Sequence, residues 1–401
     1  MFKTALSILL LPVMILSAQP QNLQYSNTVN TYGWWDDSDS KPAQPNPTPP
    51  NTPKPTPPNT PKPTPPNTPN PTPPNTPTPP QPGVPTQQKG FDFSNILTLE
   101  ERLNKKIIGQ EEAIRATVDS ILPYTAGIHD KNKPIATLIF IGSTGVGKTE
   151  LAKELVNELS KNPTKSFIRV NMSEYSLEDG VNKIIGAGLG YRDNEKGGIL
   201  ANAIKANPAS VVLLDEFEKA NSLVHKLFLQ IFDEGYFSDG SGNIINCRSC
   251  IFIATTNIGA EKLQQAYEAD VPYEDALSYV ELDLMKKLSP ELYNRMEPVL
   301  FKAISEEALM HIACNKLKKL SEKIYSLKKV KVDFDSSVQE YIQNYGYNRK
   351  LGARPLNRIV DKEISSTITR SLITHVYSEG DTMIIAHDGS HFIASHLETN
   401  K

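Results

Sequence analysis

Residues 142–149 read Gly-Ser-Thr-Gly-Val-Gly-Lys-Thr, which fills every fixed position of the phosphate-loop pattern G-x-x-x-x-G-K-[ST]. The apolar, β-branched run Ile135–Ile141 precedes it and reads as a buried strand. Glu150–Leu159 follows, with Leu151, Leu155 and Leu159 on one helical face. Binding a phosphate chain requires this strand–loop–helix order. Gly142, Gly145 and Gly147 let the backbone curl, so that N–H groups of the loop, Ser143, Thr144 and Val146 included, converge on the phosphates. The helix start adds a dipole of the right sign for the same anion. Lys148 is expected to reach the β- and γ-phosphates, and Thr149 to place its hydroxyl on Mg²⁺. The expected cofactors are ATP and Mg²⁺.

The chain has 401 residues, but its 32 prolines concentrate between Pro42 and Pro85, so the foldable part starts near residue 91. A net charge of -3 and the lack of a basic stripe argue against a nucleic-acid partner. Seven histidines with no His/Cys cluster argue against structural zinc. The three cysteines, Cys247, Cys250 and Cys314, are too few for a disulfide framework. Cys247 and Cys250 have C-x-x-C spacing but lie directly before the apolar Ile251–Ala254, which suggests a strand entrance.

At the N-terminus Lys3 precedes an apolar run ending at Leu16, followed by the small Ser17 and Ala18. Residues 1–18 read as a secretory signal peptide or an uncleaved anchor, and the chain as exported or membrane-tethered. This address sits awkwardly with a nucleotide site, because ATP is scarce outside cells. Residues 19–90 read as a linker, in which an eight-residue Pro-Thr-Pro-Pro-Asn-Thr-Pro-Lys unit repeats four times over 47–78. Such a segment cannot bury a core and is expected to be solvated polyproline II, at about 3.1 Å per residue. It reads either as a semi-rigid spacer or as a low-complexity expansion.

After Gly90, strand candidates at Ile135–Ile141, Ser166–Val170, Val211–Leu214 and Ile251–Ala254 alternate with helical runs. That alternation predicts an α/β fold with a parallel sheet and flanking helices over residues 91–300. From about Ala303 helices are expected to replace strands, at Glu306–Leu320, Ser337–Tyr345 and Gly352–Ile373. A short strand pair around Asp381–Ala386 and His391–Ala394 closes a small, mostly helical lid over 301–396.

Val211–Glu216 is an apolar strand ending in two carboxylates. Asp215 suits the Mg²⁺ ion, and Glu216 is placed to orient or deprotonate an attacking water. Asn257, at the end of the next strand, can hydrogen-bond the same water.

Together these blocks resemble the AAA+ ATPases of the Clp family, closest to the second ATPase module of ClpB and ClpA. The resemblance covers about Ile107 to Ala394. Ile107–Ala113 resembles the opening motif whose apolar backbone cradles adenine, which implies roles for Ile107 and Ile108. Arg169–Tyr175 and Asp215–Ala220 match family signatures, and Asp233–Gly240 resembles the turn after the metal-binding strand. Ser289–Arg295 looks like the block carrying the arginine finger, and Gly352–Leu356 like the lid's sensor motif. The resemblance implies that Arg295 enters a neighbouring subunit's site and that Arg354 reaches the γ-phosphate of its own. It therefore implies a homo-oligomeric ring, a hexamer, acting on protein substrates.

The family grips extended polypeptide with an aromatic on a mobile pore loop, a position that Tyr191 fills here. The usual Gly-Tyr-Val-Gly reads Gly190-Tyr-Arg-Asp193, so Arg192 and Asp193 bring charge to that loop. Ala260–Leu288 lacks the Ile-Gly-Phe/Leu tripeptide that docks on a ClpP-like peptidase, and no such partner is expected. The expected function is ATP-dependent protein unfolding or remodelling through a ring pore. The alternatives are a nucleotide-switched scaffold and a torsin-like luminal ATPase without translocation.

Overall fold

The computed structural model describes residues 90–188, 197–348, 351–374 and 376–396. The N-terminal apolar run, the proline-rich repeats and Tyr191, Arg192 and Asp193 lie outside the described residues. Among the described residues no helix is long and apolar enough to cross a membrane.

Five parallel strands form the main sheet: β1 (Ala136–Ile141), β2 (Phe167–Asn171), β3 (Val211–Asp215), β6 (Ile251–Thr256) and β7 (Glu297–Leu300), in the order β2-β3-β6-β1-β7. Alternate residues of these strands enter two separate apolar layers. Ile139, Leu214 and Phe252 face one layer, while Leu138, Leu213 and Ile253 face the other. Burial on both faces explains the continuous apolar runs. One layer is completed by α1 (Leu99–Asn104), α2 (Glu111–Asp119) and α3 (Lys148–Leu159), the other by α4 (Ser222–Glu234). The Asn221 side chain caps α4 by accepting the Leu223 N–H at 3.0 Å, and Gly235 ends it at φ +67.

Two features of the main domain fall outside the sequence expectation. The fifth strand, β7, was not among the apolar candidates, because it is short and carries Glu297 and Pro298. Proline is tolerated there because β7 is an edge strand. A hairpin of β4 (Tyr236–Ser238) and β5 (Ile244–Asn246) also intervenes before β6. Cys247 and Cys250 sit at the entrance to β6, both fully buried, whereas Cys314 is exposed.

The lid begins with α5 (Glu306–Lys328), which extends beyond the expected Leu320. Ser305 caps it by accepting the Ala308 N–H at 3.1 Å. Next come β8 (Lys331–Phe334), α6 (Ser336–Tyr345), α7 (Arg354–Arg358) and α8 (Ser365–Ile373), then β9 (Thr382–His387) and β10 (Phe392–His396). Strands therefore do not cease after Ala303. The antiparallel β9–β10 pair is joined by β8, which runs parallel to β9. With four residues, of which Val332 is buried and Lys331 and Asp333 are exposed, β8 leaves little periodic signal. The single helical run expected over Gly352–Ile373 is divided, with a π-helical stretch at Ile359–Ile364 between α7 and α8.

Candidate active site

β1, β3 and β6 stop in register: Ile141 lies beside Thr256, and Leu214 beside Ala254. The loop after β1, Asp215 with Glu216, and Asn257 are thus delivered to the carboxyl ends of these strands, where ligands bind in open α/β folds. The first gap is the phosphate loop. Gly145 and Gly147 have φ of +75 and +111, conformations that other residues adopt at a cost.

Lys148 starts α3 and is buried. Its ammonium donates to the carbonyls of Gly142 and Ser143, the latter at 2.8 Å, and to Asn257 Oδ1 at 2.9 Å. Burial pulls its pKa down to about 8; the charges of Glu218 and Asp215 oppose the shift, and Arg354 adds to it. Gln110, also buried, ties the loop to the end of β7: its amide donates to Val146 O at 3.0 Å and Lys302 O at 2.9 Å. Ile107 joins the main-domain core and Ile108 packs against the lid core, so the two expected adenine contacts straddle the junction.

Asp215 accepts from Thr255 Oγ1 and from Arg169, each at 2.6 Å. Burial works against its charge, but the Thr255 and Arg169 hydrogen bonds, with the Lys148 charge, outweigh it and hold the carboxyl below its ordinary range. Glu216 adopts φ +56, an uncommon backbone state for a non-glycine residue, and accepts from Lys219 at 2.7 Å. Its N–H donates to Thr255 Oγ1 at 3.1 Å, so one threonine hydroxyl orients both carboxylate residues.

The lid meets the loop directly. The Ala353 N–H donates to Gly145 O at 3.2 Å. A Cβ on Gly145 would lie 2.4 Å from Leu351 O, and one on Gly352 2.4 Å from Thr144 O, so both glycines are needed for the approach. The resulting cavity of about 930 Å³ is lined by Lys148, Thr149, Asp215, Glu216, Asn257 and Arg354 among others. Its size suits a nucleotide. A glycine cradle, a buried ammonium, the Thr149 hydroxyl and an ionised Asp215 form a donor set that fits a triphosphate and a hard cation.

Arg295 is not in this group. It donates to Asp233 on the surface and lines a separate cavity of about 350 Å³ that includes Phe232 and Glu297. Tyr191 and Arg192 lie outside the described residues. Sequence reasoning gave no roles to Gln110, Arg169, Thr255 and Glu218. For Gln110 and Thr255 the usable signal is a polar side chain in an otherwise apolar, buried setting.

A strand–glycine-loop–helix nucleotide site on a parallel sheet, closed by a helical lid, defines a P-loop AAA+ ATPase. Two family models match the chain: "AAA domain (Cdc48 subfamily)" over residues 133–299, and "C-terminal, D2-small domain, of ClpB protein" over residues 304–385. The chain belongs to the Clp family of AAA+ ATPases and resembles the second ATPase module of ClpB. It is 37% identical over 283 residues to the chaperone protein ClpB of Prochlorococcus marinus, covering 70% of this chain and 32% of that protein. With the chaperone protein ClpB 1 of Synechococcus elongatus the identity is 35% over 309 residues, covering 77% and 35%. With the ClpB of Malacoplasma penetrans it is 37% over 291 residues, covering 72% and 40%. The chain thus spans between about a third and two fifths of the length of these relatives.

Proposed function

We propose that the chain hydrolyses ATP in a homo-oligomeric ring, a hexamer, and uses the energy to unfold or remodel protein substrates drawn through the pore. The observation that carries this reading is the convergence of Lys148, Thr149, Asp215, Glu216, Asn257 and Arg354 on one lidded cavity. Lys148 binds the β- and γ-phosphates, and the lid's Arg354 contacts the γ-phosphate from the other side. Thr149 and Asp215 hold Mg²⁺, which when bound neutralises charge on the phosphate oxygens. Glu216 leaves Lys219 to orient the attacking water and take its proton, with Asn257 as the second contact. Arg295 is exposed and outside its own subunit's cleft, which supports donation to a neighbour.

In this reading Tyr191 grips the polypeptide and Arg192 biases which segments pass. The lack of an Ile-Gly-Phe/Leu tripeptide in Ala260–Leu288 supports a ring that works without a ClpP-like peptidase. Lys3 and the apolar run to Leu16 support export or membrane tethering, with the proline repeats as spacer. The test is ATP turnover by the full chain with and without a permanently unfolded protein. Stimulation of several-fold, lost in Tyr191→Ala while basal turnover persists, is the expected result. Unstimulated turnover in the intact chain refutes remodelling by threading.

A further inference from the structure

Three carboxylates, Asp215, Glu216 and Glu218, fall within four positions at the end of β3, and they are not equivalent. Asp215 and Glu216 line the cavity, whereas Glu218 lies behind it. The left-handed backbone of Glu216 turns the chain sharply, fully buried Phe217 anchors the turn, and the short helical turn Phe217–Lys219 carries Glu218 to the back of Asn257. There Glu218 Oε1 accepts the Asn257 main-chain N–H at 3.4 Å. The other oxygen, Oε2, is buried without a hydrogen-bond partner. Burying a carboxylate oxygen without a donor is unfavourable. Asn257 in turn accepts from Lys148 at 2.9 Å. Glu218, Asn257 and Lys148 therefore form a chain running from behind the strands' carboxyl ends to the phosphate loop.

We infer that Glu218 is a positioning residue for hydrolysis, acting through the main chain of Asn257 to aim that side chain at the terminal phosphate and the attacking water. The inference rests on the reading of this cavity as the ATP site. Lys148 is also held by the Gly142 and Ser143 carbonyls, so nucleotide binding depends less on Glu218 than turnover does. The carboxylate acts as a hydrogen-bond acceptor, and any acceptor at the same reach serves.

Two variants of the full chain separate this role from packing. Glu218→Met keeps the side chain's length without an acceptor, and Glu218→Gln keeps an acceptor without the charge. Dissociation constants for a fluorescent ATP analogue and steady-state kcat are measured for both and for the unaltered chain. The expected result is a kcat about tenfold or more lower in Glu218→Met, with analogue affinity within about threefold, and recovery of most of the rate in Glu218→Gln. Glu218→Met turning over at the original rate overturns the inference, as does Glu218→Gln falling as far as Glu218→Met. A Glu218→Met chain that no longer binds nucleotide overturns it too, since the residue then maintains the site's fold. If the unaltered chain itself fails to bind ATP, the reading of the cavity fails instead.

Discussion

Gly352→Ala tests how far the lid's backbone contact with the phosphate loop supports nucleotide binding. At Gly352 φ is +58, and an added methyl would lie 2.4 Å from Thr144 O, 2.8 Å from Gly145 C and 2.9 Å from Gly145 O. All three atoms are main chain, so no rotamer change relieves the overlap; loop and lid must separate. The left-handed backbone costs roughly 1 kcal/mol or more for any residue with a Cβ. Separation also breaks the Ala353 N–H bond to Gly145 O, worth about 1 kcal/mol, and displaces Arg354 two residues further on. Gly127→Ala supplies the control, because Gly127 has φ +72 with nothing within 4 Å of the added Cβ. Both variants are expected to lose about 1 kcal/mol of stability from backbone strain. Only Gly352→Ala should lose ATP affinity, by about tenfold or more, which corresponds to about 1.4 kcal/mol. Titration of a fluorescent ATP analogue, with a thermal melt of each protein, measures both quantities. Equal affinity in Gly352→Ala and the unaltered chain, or an equal loss in both variants, refutes the claim that the contact supports binding.

The depressed pKa of Lys148 gives a pH prediction of definite sign. Its folded value of about 8 lies below the ordinary 10.5, so burying the ammonium destabilises the fold below about pH 8, and that cost is relieved as pH rises from about 8 to 10.5. Phosphate favours the protonated form, so ATP affinity should fall as pH rises past about 8, and binding near pH 8.5 should take up a fraction of a proton; calorimetry in buffers of different ionisation enthalpy that finds none contradicts the assignment. Arg295→Ala should reduce turnover by about a hundredfold or more while leaving ATP binding intact, because arginine fingers act on the transition state. Mixing it with Lys148→Ala subunits, themselves inactive, should restore part of the rate by pairing an intact site with an intact neighbouring arginine. Failure to restore any rate in mixed rings refutes donation in trans.

The parts of this site that were legible in the sequence are those with a local signature. Residues 142–149 carry their own pattern, and Asp215 and Glu216 end a fully apolar strand. β7 and β8 were not legible because a four-residue strand containing Pro298, or alternating Lys331 and Asp333 with buried residues, offers too few apolar positions to establish a period. Gln110 and Thr255 act on partners that are remote in sequence: Gln110 joins Val146 to Lys302, and Thr255 serves Asp215 and Glu216 across the sheet. Such contacts depend on strand order, which places β6 between β1 and β3 although it follows both in the chain. Arg295 had a legible motif, yet within the single chain it pairs with Asp233, a residue 62 positions away that the motif does not include.

The ion pairs at the cavity and the pair made by Arg295 at its separate surface share one property. Asp215 is paired with Arg169, Glu216 with Lys219 and Arg295 with Asp233, and in each pair the cationic side chain is 42–54% exposed. Pairs this open to solvent contribute at most about 1 kcal/mol. Glu216 and Arg295 are therefore oriented without being held strongly, whereas Asp215, 17% exposed and bonded to both Thr255 and Arg169, is held more firmly. Lys148 differs again. It is buried, and its bonds are to two carbonyls and an amide oxygen, none of which carries a full charge. Burial leaves its ammonium short of counter-charge, so an incoming triphosphate gains more from Lys148 than from any exposed lysine of the cleft. Lys148 is thus the group for which burial is least compensated, while Glu216 and Arg295 rest on loose local partners.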